Sequence, residues 1–213
     1  MLRTIFFAGA LVAFSSAAAD NQVSTKEANP FKQTMWYFTE MHLNQAGPDD
    51  ILFFGDSLVQ GMNTDSLKFK AINMGIGGYT LAEITNRMKA VRVQDYRAII
   101  VEGGVNDVLI GRTDEQVKAG YDALFSEASR SKRFYFAQML PALATTHESE
   151  NNRVQALNSY TASLCKKNKK CRLIKSPSVM WKKNGTSYYF PDGVHLRNKG
   201  YRAWVNNINY IVK

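Results

Sequence analysis

Short, mostly apolar runs alternate along the chain with longer segments whose apolar positions recur at helical spacing. The runs cover residues 51–54, 71–74, 98–101, 134–139 and 172–174. Such runs suit strands covered on both faces, as in a parallel sheet. Between them, segments 80–93, 113–129 and 150–167, with 197–211 last, carry the spacing of helices. Thr80 and Glu83 form a capping-box pattern at the start of the first of these. An earlier helical segment, 30–46, places Phe31, Met35, Phe38, Met41 and His42 on one side, and Gly-Pro-Asp-Asp at 47–50 then breaks the chain. Alternation of strand and helix predicts an α/β domain with helices on both faces of the sheet. In such sheets reactive groups gather beyond the carboxyl ends of the strands, so the loops after each run are the place to look.

The N-terminus follows a different pattern. Arg3 precedes ten apolar or small residues (5–14), and Ser-Ser-Ala-Ala-Ala-Asp follows at 15–20. A basic start, a short apolar stretch and small residues at a cleavage point predict a secretory signal peptide, cut after Ala19. Ten apolar residues are too few to cross a hydrocarbon layer about 30 Å thick as a helix. The expectation is therefore an exported protein, secreted or periplasmic, with a single domain over 20–213. No repeat, low-complexity tract or linker divides it.

Composition narrows the classes further. The chain has 213 residues, 45% hydrophobic and 21% charged, which excludes intrinsic disorder and allows a sizeable core. Two cysteines exclude a disulfide-framework miniprotein. In an oxidising compartment Cys165 and Cys171 are a plausible disulfide, a local clip worth roughly 2 kcal/mol, since a redox pair usually has two intervening residues rather than five. No His, Cys, Asp and Glu cluster has metal-ligand spacing, so no metal is expected.

Net charge is +9, concentrated near the C-terminus: from Cys165 onward there are twelve lysines and arginines against one acid, Asp192. This basic quarter is either a solvated face or an attachment point for an anionic membrane or polysaccharide surface. Nucleic acid is not expected, because stacking aromatics are not interleaved with the charges.

Four loops after the runs, or near the chain end, carry candidate chemistry. They read Gly55-Asp56-Ser57-Leu58, Asn73-Met74-Gly75-Ile76-Gly77-Gly78, Gly103-Gly104-Val105-Asn106-Asp107 and Pro191-Asp192-Gly193-Val194-His195-Leu196. Each block alone is weak; a lone serine there is more often a helix N-cap, and a lone Asp-x-x-His a surface turn. In this order, with Gly200-Tyr201 behind, they resemble the GDSL, or SGNH, hydrolase family over residues 50–201. The resemblance implies a three-layer α/β/α sandwich with a flavodoxin-like parallel sheet of about five strands.

It also implies the roles. Serine is a poor nucleophile without an adjacent base. His195 has a carboxylate three residues before it, so Asp192 can orient the ring while the other nitrogen takes the Ser57 proton. The oxyanion-hole positions carry over as the Ser57 N–H, the Gly78 N–H and the Asn106 amide, donors set before charge develops. The expected activity is hydrolysis of ester- or thioester-linked acyl groups, on lipids or acetylated carbohydrates, with no cofactor. Acyl transfer on the same fold, or a non-catalytic protein binding anionic envelope polymers, are the alternatives. An α/β-hydrolase elbow would need a second glycine where Val59 stands. His42 and His147 are expected to be surface residues. Asn184-Gly185-Thr186 is an acceptor sequon, relevant only in a host that glycosylates exported proteins. Specificity is expected from loops 60–70, 107–112 and 141–152.

Overall fold

The structure is a computed structural model that describes residues 29–141, 148–182 and 185–213. The expected leader and its cleavage point, His147 and Asn184 lie outside the described residues. Along the chain the main elements are α1 (Pro30–Leu43), β1 (Ile51–Gly55), α2 (Ser57–Gln60), β2 (Ala71–Gly75), α3 (Leu81–Lys89), β3 (Ala98–Glu102), α4 (Val105–Leu109), α5 (Asp114–Ala128), β4 (Phe134–Ala137), α6 (Glu148–Lys167), β5 (Cys171–Ile174) and α7 (Asn198–Ile211). The five strands form one parallel sheet in the order β2-β1-β3-β4-β5. That is the flavodoxin order, whose topological switch lies between β1 and β3.

The apolar runs become strands because both faces are covered. Leu52 and Phe54 of β1, Ile99 and Val101 of β3, and Phe134 and Phe136 of β4 face α3, α5 and α6. Their neighbours Ile51, Phe53, Ile100 and Tyr135 face α2 and α7. All five residues of β1 and of β3 are buried. On the α7 side Trp204 is fully buried and meets Phe53 edge-on, ring centroids 6.0 Å apart. Such a pair adds about 1 kcal/mol to the area buried.

Differences from the sequence expectation have local causes. The fourth run ends as a strand at Ala137 rather than at 139, and Gln138 still donates to Ile174 O, so the ladder outlasts the strand by one bond. The helical segment expected at 80–93 is shorter, α3 ending at Lys89, because Ala90 caps it and residues 93–95 turn as a 3₁₀ helix. Glu83 Oε2 accepts from both the backbone N–H and the hydroxyl of Thr80, 2.8 Å each.

In α1 the side marked by Phe31, Phe38 and Met41 is the exposed one. The inward side is Met35, Trp36, Thr39 and Leu43. A buried guanidinium decides this orientation. Arg87 of α3 pairs with Glu40 at 2.6 Å, donates to Thr39 Oγ1 at 3.2 Å and lies 3.9 Å over the Trp36 ring. Each of those partners sits on the side of α1 that Phe38 does not, and an unpaired buried charge would be far costlier than an exposed phenylalanine.

Cys165 and Cys171 are joined as a disulfide across the turn from α6 into β5.

Candidate active site

The site is assembled from the carboxyl ends of β1, β2 and β3 and a compact loop before α7. Directly after β1, Asp56 caps α2: its Oδ1 accepts from Leu58 N–H at 2.9 Å. The cap turns the chain sharply, so Ser57 becomes the first residue of α2 and its side chain stands beyond the sheet edge. Tyr201 of α7 donates its hydroxyl to Leu58 O at 2.9 Å, which ties α2 to the last helix.

His195 and Asp192 belong to one self-closed loop. Asp192 Oδ1 accepts from the backbone N–H groups of Val194 and His195, both at 2.9 Å. Asp192 Oδ2 lies 2.8 Å from His195 Nδ1, and His195 Nε2 lies 3.0 Å from Ser57 Oγ. Either nitrogen can carry the proton in a neutral imidazole. A carboxylate partner favours the proton on Nδ1, leaving Nε2 as the acceptor facing the serine. The loop's base is fixed by Phe190 N–H to His195 O and by Arg197 N–H to Tyr188 O, 2.8 Å each. Partial burial by itself raises the Asp192 carboxyl, but the His195 ring and the two backbone donors outweigh it and hold the group below the ordinary carboxylate range.

The candidate donors Gly78 and Asn106 come from the loops after the other two strands. Gly78 follows β2 with φ +74°, a left-handed conformation that disfavours any side chain. The loop carrying it is clamped from α2, because Gln60 Oε1 accepts from Gly77 N–H at 2.6 Å. Asn73 within β2 holds α2 in turn, its Nδ2 donating to Val59 O at 2.7 Å. After β3, Gly104 at φ +113° opens α4 and brings Asn106 forward. Asn106 Nδ2 donates to Tyr79 O at 2.9 Å and stands 3.5 Å from Asp56 Oδ2, the long end of a hydrogen bond. Asp107, buried next to it, accepts from Leu81 N–H and from Arg112, each at 2.8 Å, and so locks α4 to α3.

Ser57, Gly77, Gly78, Asn106 and His195 line one open cleft of about 500 Å³, together with Phe31 of α1, Gln60 and Gly61. Four of the five residues singled out from the sequence, Ser57, Gly78, Asn106 and His195, thus line one cleft, and the fifth, Asp192, joins them through His195, although Ser57 and His195 are 138 positions apart. His42 is exposed on α1. Among the described residues no cluster of His, Cys, Asp and Glu could hold a metal ion.

Sequence reasoning missed the supporting residues: Gln60, Asn73, Phe31 and a buried acid pair. Asp56 and Glu102 lie beneath Ser57, both fully buried. Burial raises both carboxyls, and the Asp56 charge pushes Glu102 further, well above the usual range. Both carboxyls therefore resist ionisation, Glu102 the more strongly. A glutamate ending an apolar run was the available signal.

A parallel sheet in this order, carrying such loops on its carboxyl edge, is the SGNH α/β/α architecture. The chain belongs to the GDSL-like Lipase/Acylhydrolase family, whose pattern matches residues 53–203. Among solved structures, one assigned provisionally as a platelet activating factor from Streptococcus pneumonia is similar at 18% identity, with 84% of this chain and 92% of that chain covered and a TM-score of 0.73. A member of the lipolytic G-D-S-L family from Veillonella parvula is 16% identical (76% and 97% covered, TM-score 0.67). An acetylxylan esterase from Geobacillus stearothermophilus is 14% identical (76% and 93% covered, TM-score 0.64). At these identities the likeness is one of fold. A sequence comparison with curated proteins found no match. α1 lies outside the family match.

Proposed function

We propose that the protein is a serine carboxylic-ester hydrolase in which Ser57 is the nucleophile, His195 the general base and Asp192 its orienting group. The observation that carries this is the unbroken relay Asp192 Oδ2–His195 Nδ1 at 2.8 Å and His195 Nε2–Ser57 Oγ at 3.0 Å, at one end of the cleft that Gly78 and Asn106 line. The ester carbonyl carbon meets Ser57 Oγ as His195 Nε2 takes its proton. Charge moves to the carbonyl oxygen, which the backbone N–H groups of Ser57 and Gly78 and the Asn106 amide receive. For Asn106 the exchange is favourable. Its second Nδ2 hydrogen trades the long contact with Asp56 for a full negative charge. His195 then protonates the leaving alcohol, and water repeats the sequence on the acyl enzyme.

The family, and the acetylxylan esterase among the structural relatives, favour acyl esters of carbohydrates or lipids as substrates. The cleft is open on one side, with the Phe31 ring as one wall, which suits an acyl group resting on an apolar surface.

The test is hydrolysis of p-nitrophenyl esters from acetyl to palmitoyl by wild type and Ser57→Ala. Removing a triad nucleophile lowers kcat by about 10⁶. Equal rates in the two proteins would overturn the reading.

A further inference from the structure

Because every strand is parallel, the loops that precede the strands share the end of the sheet opposite to the cleft. Two of them are strongly basic. The loop into β4 contributes Arg130, Lys132 and Arg133, and the turn into β5 contributes Lys166, Lys167, Lys169 and Lys170. β4 and β5 are adjacent and pair from their first residues, Phe134 opposite Cys171, so the two loops are neighbours. They are also interlocked. Lys170 Nζ donates to Ser129 O at 2.8 Å and Ser131 O at 3.0 Å, and Asn168 Nδ2 to Ser129 Oγ at 2.6 Å. Arg172 folds back onto Lys169 O at 3.2 Å, and the Cys165–Cys171 disulfide closes the lysine turn on itself.

Charge balance at this pole is one-sided. Arg130 is paired with Glu127, and Asp95, near Lys132, is already taken by Arg92 at 2.8 Å. The other seven cations form no ion pair among the described residues, and all seven are exposed. Such a set repels itself in the free protein, and an anionic surface relieves that repulsion.

We infer that this pole is a docking surface for a lipid bilayer carrying anionic headgroups. Five of the seven free cations are lysines, compact point charges that suit a diffuse layer of headgroups better than forked recognition of one phosphate. Residues 129–133 and 166–170 contain no aromatic side chain, so neither a base nor a sugar ring finds a stacking platform, which disfavours nucleic acid and polysaccharide. They contain no large apolar side chain either, so attachment is electrostatic, without insertion. The cleft lies at the far end of strands about 16 Å long and faces the aqueous phase while the protein is docked.

The experiment is co-sedimentation of the full-length protein with phosphatidylcholine vesicles, with and without phosphatidylglycerol. The comparison variant is the quadruple replacement Lys132→Gln, Lys166→Gln, Lys167→Gln and Lys169→Gln. It spares Lys170, which is structural, and its melting curve verifies folding. Wild type is expected to partition onto the anionic vesicles at least about a hundredfold more strongly than the variant. That excess is expected to vanish at about 1 M salt, where the Debye length is about 3 Å. Equal partitioning of wild type and variant overturns the proposal. So does an excess that survives high salt, or preferential capture by polygalacturonate or DNA when these compete with the vesicles.

Discussion

Among single residues, Asn106 is the most informative, because its amide has two acceptors at rest and only one of them is close. The Tyr79 carbonyl at 2.9 Å fixes the orientation, and Asp56 Oδ2 at 3.5 Å holds the second hydrogen weakly. Asn106→Ala should therefore lower kcat by about 10²–10³, as for loss of one oxyanion donor, with little change in melting temperature. A wild-type kcat measured on the same p-nitrophenyl esters would remove the side chain from the mechanism. The five residues read from the sequence are those whose chemistry cannot be supplied by another residue type at that position. Gln60 and Asn73 were not legible because their role is to bond backbone groups, Gly77 N–H and Val59 O, whose positions depend on how α2 meets β2. Polar residues in such roles carry no local pattern.

At the level of elements, burial on both faces made β1 and β3 easy to read, since a period-independent apolar run sufficed, whereas β2 and β5 carry Asn73 and Arg172 within theirs and are only partly buried. α1 was harder. Its spacing gives two candidate apolar sides, and only Arg87, brought from α3, selects between them. The turn from α6 to β5 is held by a local cross-link instead. Its disulfide closes a small ring between residues 165 and 171, worth about 2 kcal/mol of denatured-state entropy. Replacing both cysteines by serine should lower the melting temperature by about 4–8 °C at this chain length. An unchanged melting temperature in calorimetry would mean that the hydrogen bonds of Lys170 and Asn168 to the neighbouring loop hold the turn unaided.

For the molecule as a whole, the buried pair Asp56–Glu102 links stability to pH. Glu102 has a folded-state pKa well above its ordinary value, chiefly through burial and then through the Asp56 charge. Between about pH 4.3, where an unfolded glutamate titrates, and that raised value, the folded protein binds more protons than the unfolded one. Stability therefore falls as pH rises through this window. Glu102→Gln removes the titration and offers Asp56 an amide donor. The melting temperature of wild type should drop more than that of the variant between about pH 5 and pH 9. Parallel curves would show that the two carboxyls are not linked to folding.

The loop that carries Asp192 and His195 is closed by its own hydrogen bonds and meets Ser57 through His195 Nε2. The proposed base and its proposed orienting acid are thus held to each other within one short loop. Parting His195 from Ser57 would also pull Val194, which lies between Asp192 and His195, off the hydrophobic core, so the interior itself keeps the imidazole turned toward the hydroxyl.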